Sequence, residues 1–208
     1  MKNSPETAGS FTDADVIEEH ALALGLLCIY WASLDNALAN LLNTYLGSDD
    51  VGAAVTAPDT STRCEQIRKL AHVTGPDGEW RDCLLRILRM IQKELAETRN
   101  RYIHDGWTIS EAGMVRIDRR PKLQKPQARQ PVQLVTESAS VVPAEWVQLL
   151  TQRVIDTMVA IAFMAIDVRR WRDGESSLKP TPLALDLSTC KPLVEIRPPA
   201  PTRWKLPH

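Results

Sequence analysis

Cysteine is sparse. Four occur in 208 residues, Cys28, Cys64, Cys83 and Cys190, with no Cys-x-x-Cys pair and no zinc-like spacing. Cys28 and Cys83 sit in apolar surroundings, where a free thiol acts as a small hydrophobe. A disulfide framework is therefore not expected, and a reducing, cytoplasmic compartment is. Charge of one sign is missing too. Twenty-five Lys and Arg against 26 Asp and Glu leave a formal net charge of −1. No global field points to nucleic acid or membrane, so any such field has to be local. GxxxxGK[ST], GxGxxG and GxSxG are all absent, which removes the common phosphate-cradling and nucleophile-elbow chemistries. Glu-x-x-His pairs, the usual ligands of di-metal helical bundles, are absent as well. Ile17 stands three residues before His20, and Lys69 before His72. With His208, these histidines read as structural or solvent-facing, and neither metal nor cofactor is expected. The apolar run from Ala21 to Leu34 is short for a membrane span. Asp13, Asp15, Glu18 and Glu19 precede it, the wrong sign for a signal peptide. It reads as a buried core helix, with no membrane partner.

What is present is helical periodicity. Thr12 with Asp13 and Asp15 starts a helix that should run to about Tyr45 and stop at Gly47. Its upper part is apolar on most sides, which suits the centre of a fold or a subunit interface. Thr62 and Glu65 make a capping-box pair for a short second helix to about Val73. A third helix is marked by Trp80, Leu84, Ile87, Leu88, Ile91, Leu95, Thr98 and Tyr102, stepping by three and four, with Asp105-Gly106 as its stop. Trp107 to Ser110 and Met114 to Asp118 flank Glu111-Ala112-Gly113 as a small β-hairpin. Residues 119–142 form a connection containing Pro and Gln. Pro143 then opens a helix striped by Trp146, Leu149, Leu150, Val154, Met158, Ile161, Ala165 and Val168 and closed by Gly174. From Glu175 the chain is Pro-rich and is expected to be an extended or disordered tail. The sequence thus predicts an all-α bundle of four to five helices over 12–174, with a hairpin insertion and a tail over 175–208.

Chemistry concentrates at the end of the third helix, in Arg99-Asn100-Arg101-Tyr102-Ile103-His104. Arg offers a rigid fork of donors to phosphate oxygens. His titrates near neutral pH and can carry a proton to or from a ribose oxygen. RNA supplies its own nucleophile in the 2′-hydroxyl, so this pair suits phosphodiester cleavage. Asn100 can orient the imidazole or the phosphate. On an unbroken helix Arg99 and His104 point ~140° apart. They meet only through a frayed last turn or a second copy of the chain.

This segment resembles the R-N-x-x-x-H form of the Rx4–6H motif of the HEPN superfamily, also found at the end of a long helix in a helical protein. The match is sharp over six residues and architectural over 12–174. The resemblance implies a four- to five-helix bundle and a metal-independent RNase of toxin–antitoxin or phage-defence systems. It implies a homodimer whose motifs meet at the interface, with an antitoxin or defence-system partner. Arg99 and His104 would be catalytic, with Asn100 the polar residue after the arginine. Inactive members of the superfamily exist.

Around the motif, Asp35 and Tyr102 are expected to support the pocket. Arg116, Arg119, Arg120, Lys122, Lys125 and Arg129, opposed only by Asp118, offer a basic stretch for an RNA backbone or form a solvated loop. Trp107 reads as core ahead of a base-stacking platform. The rival reading is a non-catalytic module that dimerises through its first and last long helices and recruits a partner by the basic connection or the tail. A purely structural reading of the motif instead pairs Arg99 with Glu94 or Asp35 and has His104 cap the helix.

Overall fold

The computed structural model describes residues 13–47, 59–110, 113–118, 122–123, 134–135 and 138–189. The longest helix, α1 (Asp13–Leu46), opens on Asp13 and Asp15, acids that complement the positive end of its dipole. It stops at Gly47, whose φ of +69° suits glycine. There the Arg172 guanidinium packs against the glycine, where any side chain would collide with it, and donates to Thr44 O at 3.0 Å. This carbonyl of the helix end also accepts from the Gly47 N–H at 3.3 Å.

Helix α2 (Thr60–Val73) is capped by Asp59, whose Oδ1 accepts from the Thr62 N–H at 2.7 Å. The capping pair expected at Thr62 and Glu65 is thus corrected to one built on Asp59, and Glu65 pairs with Arg68 instead. Helix α3 (Glu79–Met90) runs through a π turn (Ile91–Leu95) into α4 (Ala96–His104). The hairpin is found as β1 (Gly106–Ser110) and β2 (Gly113–Asp118), antiparallel, with Trp107 opposite Arg116. It is larger than expected. The connection contributes β3 (Lys122–Leu123) paired with β4 (Leu134–Val135), and β5 (Ser138–Val141), which joins β2 as a third strand. Then come α5 (Ala144–Arg172) and α6 (Pro182–Thr189). The expectation of an extended tail from 175 is corrected over 182–189. There α6 buries Ala184 and Leu187, and Ala184 O accepts from Cys83 Sγ at 3.1 Å. Residues 190–208, with Cys190, lie outside the described residues.

α1 and α5 lie side by side and parallel. Glu145, at the start of α5, is near enough to His20 to act on its charge, while Arg172, at its end, reaches Thr44. α3 runs back against them. Trp80 at its start donates from Nε1 to Asp167 of α5 at 2.9 Å, and Arg99 near the end of α4 lies over Trp31 of α1. The core between them is fully enclosed at Leu27, Leu34, Leu38, Leu84, Ile87, Leu150, Val154 and Ile161. Each such side chain contributes about 1.5–3 kcal/mol relative to exposure.

The outer face of α1 is apolar as well. Leu22, Leu26 and Ile29 are 63%, 38% and 61% exposed, and Ala21, Gly25, Cys28 and Ala32 beside them are also exposed. Cys28 is therefore not the buried residue its neighbours suggested. α5 exposes Leu149, Phe163 and Ile166. By length and hydropathy both helices meet the requirements of a membrane span.

Candidate functional site

The π turn decides which way the end of the long helix faces. A π turn holds one more residue than an α turn, so everything after it lags by roughly 100°. Arg99 stands nineteen residues after Trp80. Counted with that lag it points along the same line as buried Trp80, where an unbroken α-helix would turn it ~100° away. Tyr102 is aligned with buried Cys83 in the same way. The turn thus carries an arginine onto the inner side of the helix, against α1.

Arg99 is half-buried. Its Cζ lies 5.6 Å from the centroid of the Trp31 ring, a cation–π contact worth about 0.5–2 kcal/mol according to its desolvation. Its Nη1 donates to Asn100 Oδ1 at 3.0 Å. Its Nε is buried and has no hydrogen-bond partner among the described residues. Nor is it ion-paired among them. Asp35, one of its two expected partners, instead accepts from Thr60 Oγ1 at 2.6 Å and pairs with Arg63 at 3.2 Å. Asp35 is thereby corrected from a support of the pocket to the tie between α1 and α2. The other pairing expected beside the motif, Arg101 with Glu97, is present at 3.1 Å.

His104 is exposed and ends α4. The helix is intact to that residue, and the Asp105 N–H donates to Arg101 O at 3.1 Å. The frayed turn that would bring His104 to Arg99 within one chain is not found. The two side chains leave the helix ~140° apart.

The chain then folds under the helix end. Asp105 is extended, and Trp107 Nε1 donates to Tyr102 O at 2.9 Å, satisfying one terminal carbonyl. Arg116, across the hairpin from Trp107, is buried. It pairs with Asp105 at 3.6 Å and lies 5.9 Å from the Tyr102 ring centroid. Its expected role on RNA is corrected accordingly. It fastens β2 to the end of α4 and is shut off from solvent. The other basic candidates are not described as side chains: Arg119, Arg120, Lys125 and Arg129 lie outside the described residues, and only the backbone of Lys122 is placed, in β3. Tyr102 is enclosed under the helix end, and burial pushes its hydroxyl up to about 12 against the opposing pull of Arg116. It supports the motif by packing.

Two participants escape sequence reading. Trp31 underlies Arg99, and nothing in its spacing points across to α4. His20 stacks edge-on to Trp107, ring centroids 4.9 Å apart. It is buried, and its Nε2 has no hydrogen-bond partner among the described residues.

Burial lowers the His20 pKa below its usual value, opposed by the charges of Glu19 and Glu145. Folded His20 thus resists protonation while the unfolded chain takes it up near pH ~6.5. Its contribution to stability is complete above that pH and declines as pH falls below it. The urea midpoint of the wild type should drop between pH 7.5 and 5.5, and His20→Leu should flatten that slope. Equal slopes in the two proteins would remove His20 as the cause.

Comparison with models of known families, with curated proteins and with solved structures finds no match.

Proposed function

We propose that the chain is a metal-independent endoribonuclease of the HEPN type, active as a homodimer and serving as a toxin or phage-defence effector. The observation that carries this reading is Arg99. Its guanidinium lies over Trp31 and is steadied by Asn100, with no acid neutralising it among the described residues. A half-buried cation without a counter-charge is costly to keep. It is well suited to receive an anionic phosphate.

The second copy answers the separation of Arg99 and His104. Cys28 and Ala32 stand three residues before and one after Trp31, and both belong to the exposed apolar face of α1. A second α1 seated on that face would border the Arg99 guanidinium. Its His104 would then supply the imidazole that the intact helix keeps away. Exposed apolar patches of this kind mark association sites.

In the reaction, Arg99 holds the non-bridging phosphate oxygens and stabilises the charge that grows on them. One His104 accepts the proton of the 2′-hydroxyl, whose oxygen bonds to phosphorus. The bond from phosphorus to the 5′-oxygen breaks, and that oxygen takes up a proton relayed through solvent from the same imidazolium. The products are a 2′,3′-cyclic phosphate and a 5′-hydroxyl.

Purified protein incubated with total cellular RNA in excess EDTA should give fragments with cyclic phosphate ends. Intact RNA from a well-folded dimer would favour the other reading, a non-catalytic dimerising module. The separation of Arg99 from His104 within one chain is the observation on its side.

A further inference from the structure

A second concentration of positive charge lies away from the motif, between α2 and α3. These helices enclose a groove of about 540 Å³. Arg68 lines it from α2; Arg86, Arg89 and Lys93 line it from α3 and its π turn. Among the described residues the only acid on its walls is Glu65, and Glu65 is taken by Arg68. Gln92 receives a second Arg68 hydrogen bond and holds that guanidinium across the groove. The other three cations are exposed, and none has an ion-pair partner among the described residues.

Arg86, Arg89 and Lys93 follow the i, i+3, i+7 spacing of one helix face. Like charges so placed destabilise a helix by about 0.2–0.5 kcal/mol per pair. Such a strip is stabilised when an anion lies along it. Its length, seven residues at 1.5 Å, is about 10 Å. That is long for one phosphate and suits a chain of them. Among the described residues the walls offer a single aliphatic side chain, Leu85, and no aromatic ring for a base. Contact of this kind recognises the backbone and is indifferent to sequence.

The strip also points at the motif. With the lag of the π turn counted, Arg101 falls within ~20° of Arg89 around the helix, and His104 within ~40°. The axial distance from Lys93 to His104 is ~16 Å. We infer that the groove between α2 and α3 grips the phosphate backbone of single-stranded RNA and leads it along the helix toward His104. The substrate class rests on the RNase reading; the groove itself rests on the placement of Arg68, Arg86, Arg89 and Lys93.

The test measures binding apart from cleavage. Each protein carries His104→Ala, so no cleavage intervenes, and is titrated against a fluorescein-labelled single-stranded RNA at several salt concentrations. Arg86→Gln/Arg89→Gln in that background should weaken binding at least 10-fold and lower the salt slope by about 1–2. The same pair of changes on exposed Arg169 and Arg170, at the far end of α5, should leave both within two-fold. Inorganic triphosphate at equal charge should compete poorly; effective competition would mean a small-anion site and overturn the backbone reading. Unchanged affinity in the Arg86/Arg89 variant overturns the inference even if the wild type cleaves RNA. Weakened affinity with no cleavage by the wild type upholds the groove and removes the RNase reading.

Discussion

His104→Ala is expected to lower RNA cleavage in EDTA by ~10²–10⁴-fold, the usual contribution of a positioned proton-transfer group. The protein should otherwise be unchanged. His104 is exposed at the last position of α4, and surface substitutions of this kind move stability by about 0.5 kcal/mol at most. Circular dichroism, thermal midpoint and elution volume should therefore match the wild type. Arg99→Lys should fare little better than His104→Ala, since an ammonium does not reproduce the fork of donors. A His104→Ala protein that cleaves as well as the wild type would end the RNase reading, because among the described residues no other imidazole near the motif is exposed: His20 is enclosed against Trp107.

The second large effect concerns the outer face of α1. Leu26→Asp/Ile29→Asp is expected to convert a dimer into a monomer and to abolish cleavage, while the monomer stays folded. Both side chains point away from the core, so their loss opens no cavity. Placing carboxylates in an apolar interface costs several kcal/mol, and each 1.4 kcal/mol is a factor of ten in the dissociation constant. Sedimentation equilibrium reads the first expectation and the EDTA assay the second. Mixing Arg99→Ala with His104→Ala protein gives a complementary result: sites built across two chains should regain activity in the mixed dimer. An active monomer, or a mixture as inert as its components, would mean that the residues do not meet across copies.

Much of the bundle is legible because its signals are local. α1, α3 and α5 follow from apolar spacing and from glycines at their ends, and the hairpin from two short runs around Glu111-Ala112-Gly113. Helix α6 has a local signal as well. Thr181 Oγ1 accepts from the Ala184 N–H at 3.2 Å, with Pro182 in the first helical position, a hydroxyl cap and proline start that the Pro-rich surroundings obscure. Other features have no local signal. β5 is four residues long and is fixed by its ladder to β2. The π turn requires no special residue type, yet it sets the direction of Arg99 and Tyr102. The motif itself could be read, but not its surroundings. Asp35 turns to Arg63, Arg116 is drawn inside by Asp105, and Trp31 arrives from a distant helix. The strip of Arg86, Arg89 and Lys93 has a plain periodic signature on the polar side of α3.

The parallel pairing of α1 with α5 has a kinetic consequence. Parallel neighbours cannot be joined by a tight turn, and here the return path takes in α2, α3, α4 and the sheet. α1 leaves the ribosome first, and its long-range partner follows about a hundred residues later. At ~5–20 residues per second that interval is roughly 5–20 s. Throughout it the leucines destined for α5, together with Leu22, Leu26 and Ile29 on the other side, stand open to the solvent. Nascent chains of this protein should therefore engage hydrophobic-surface chaperones during synthesis, and refolding from urea should be slow for a helical protein of this size, because the pairing that closes the core is its least local one.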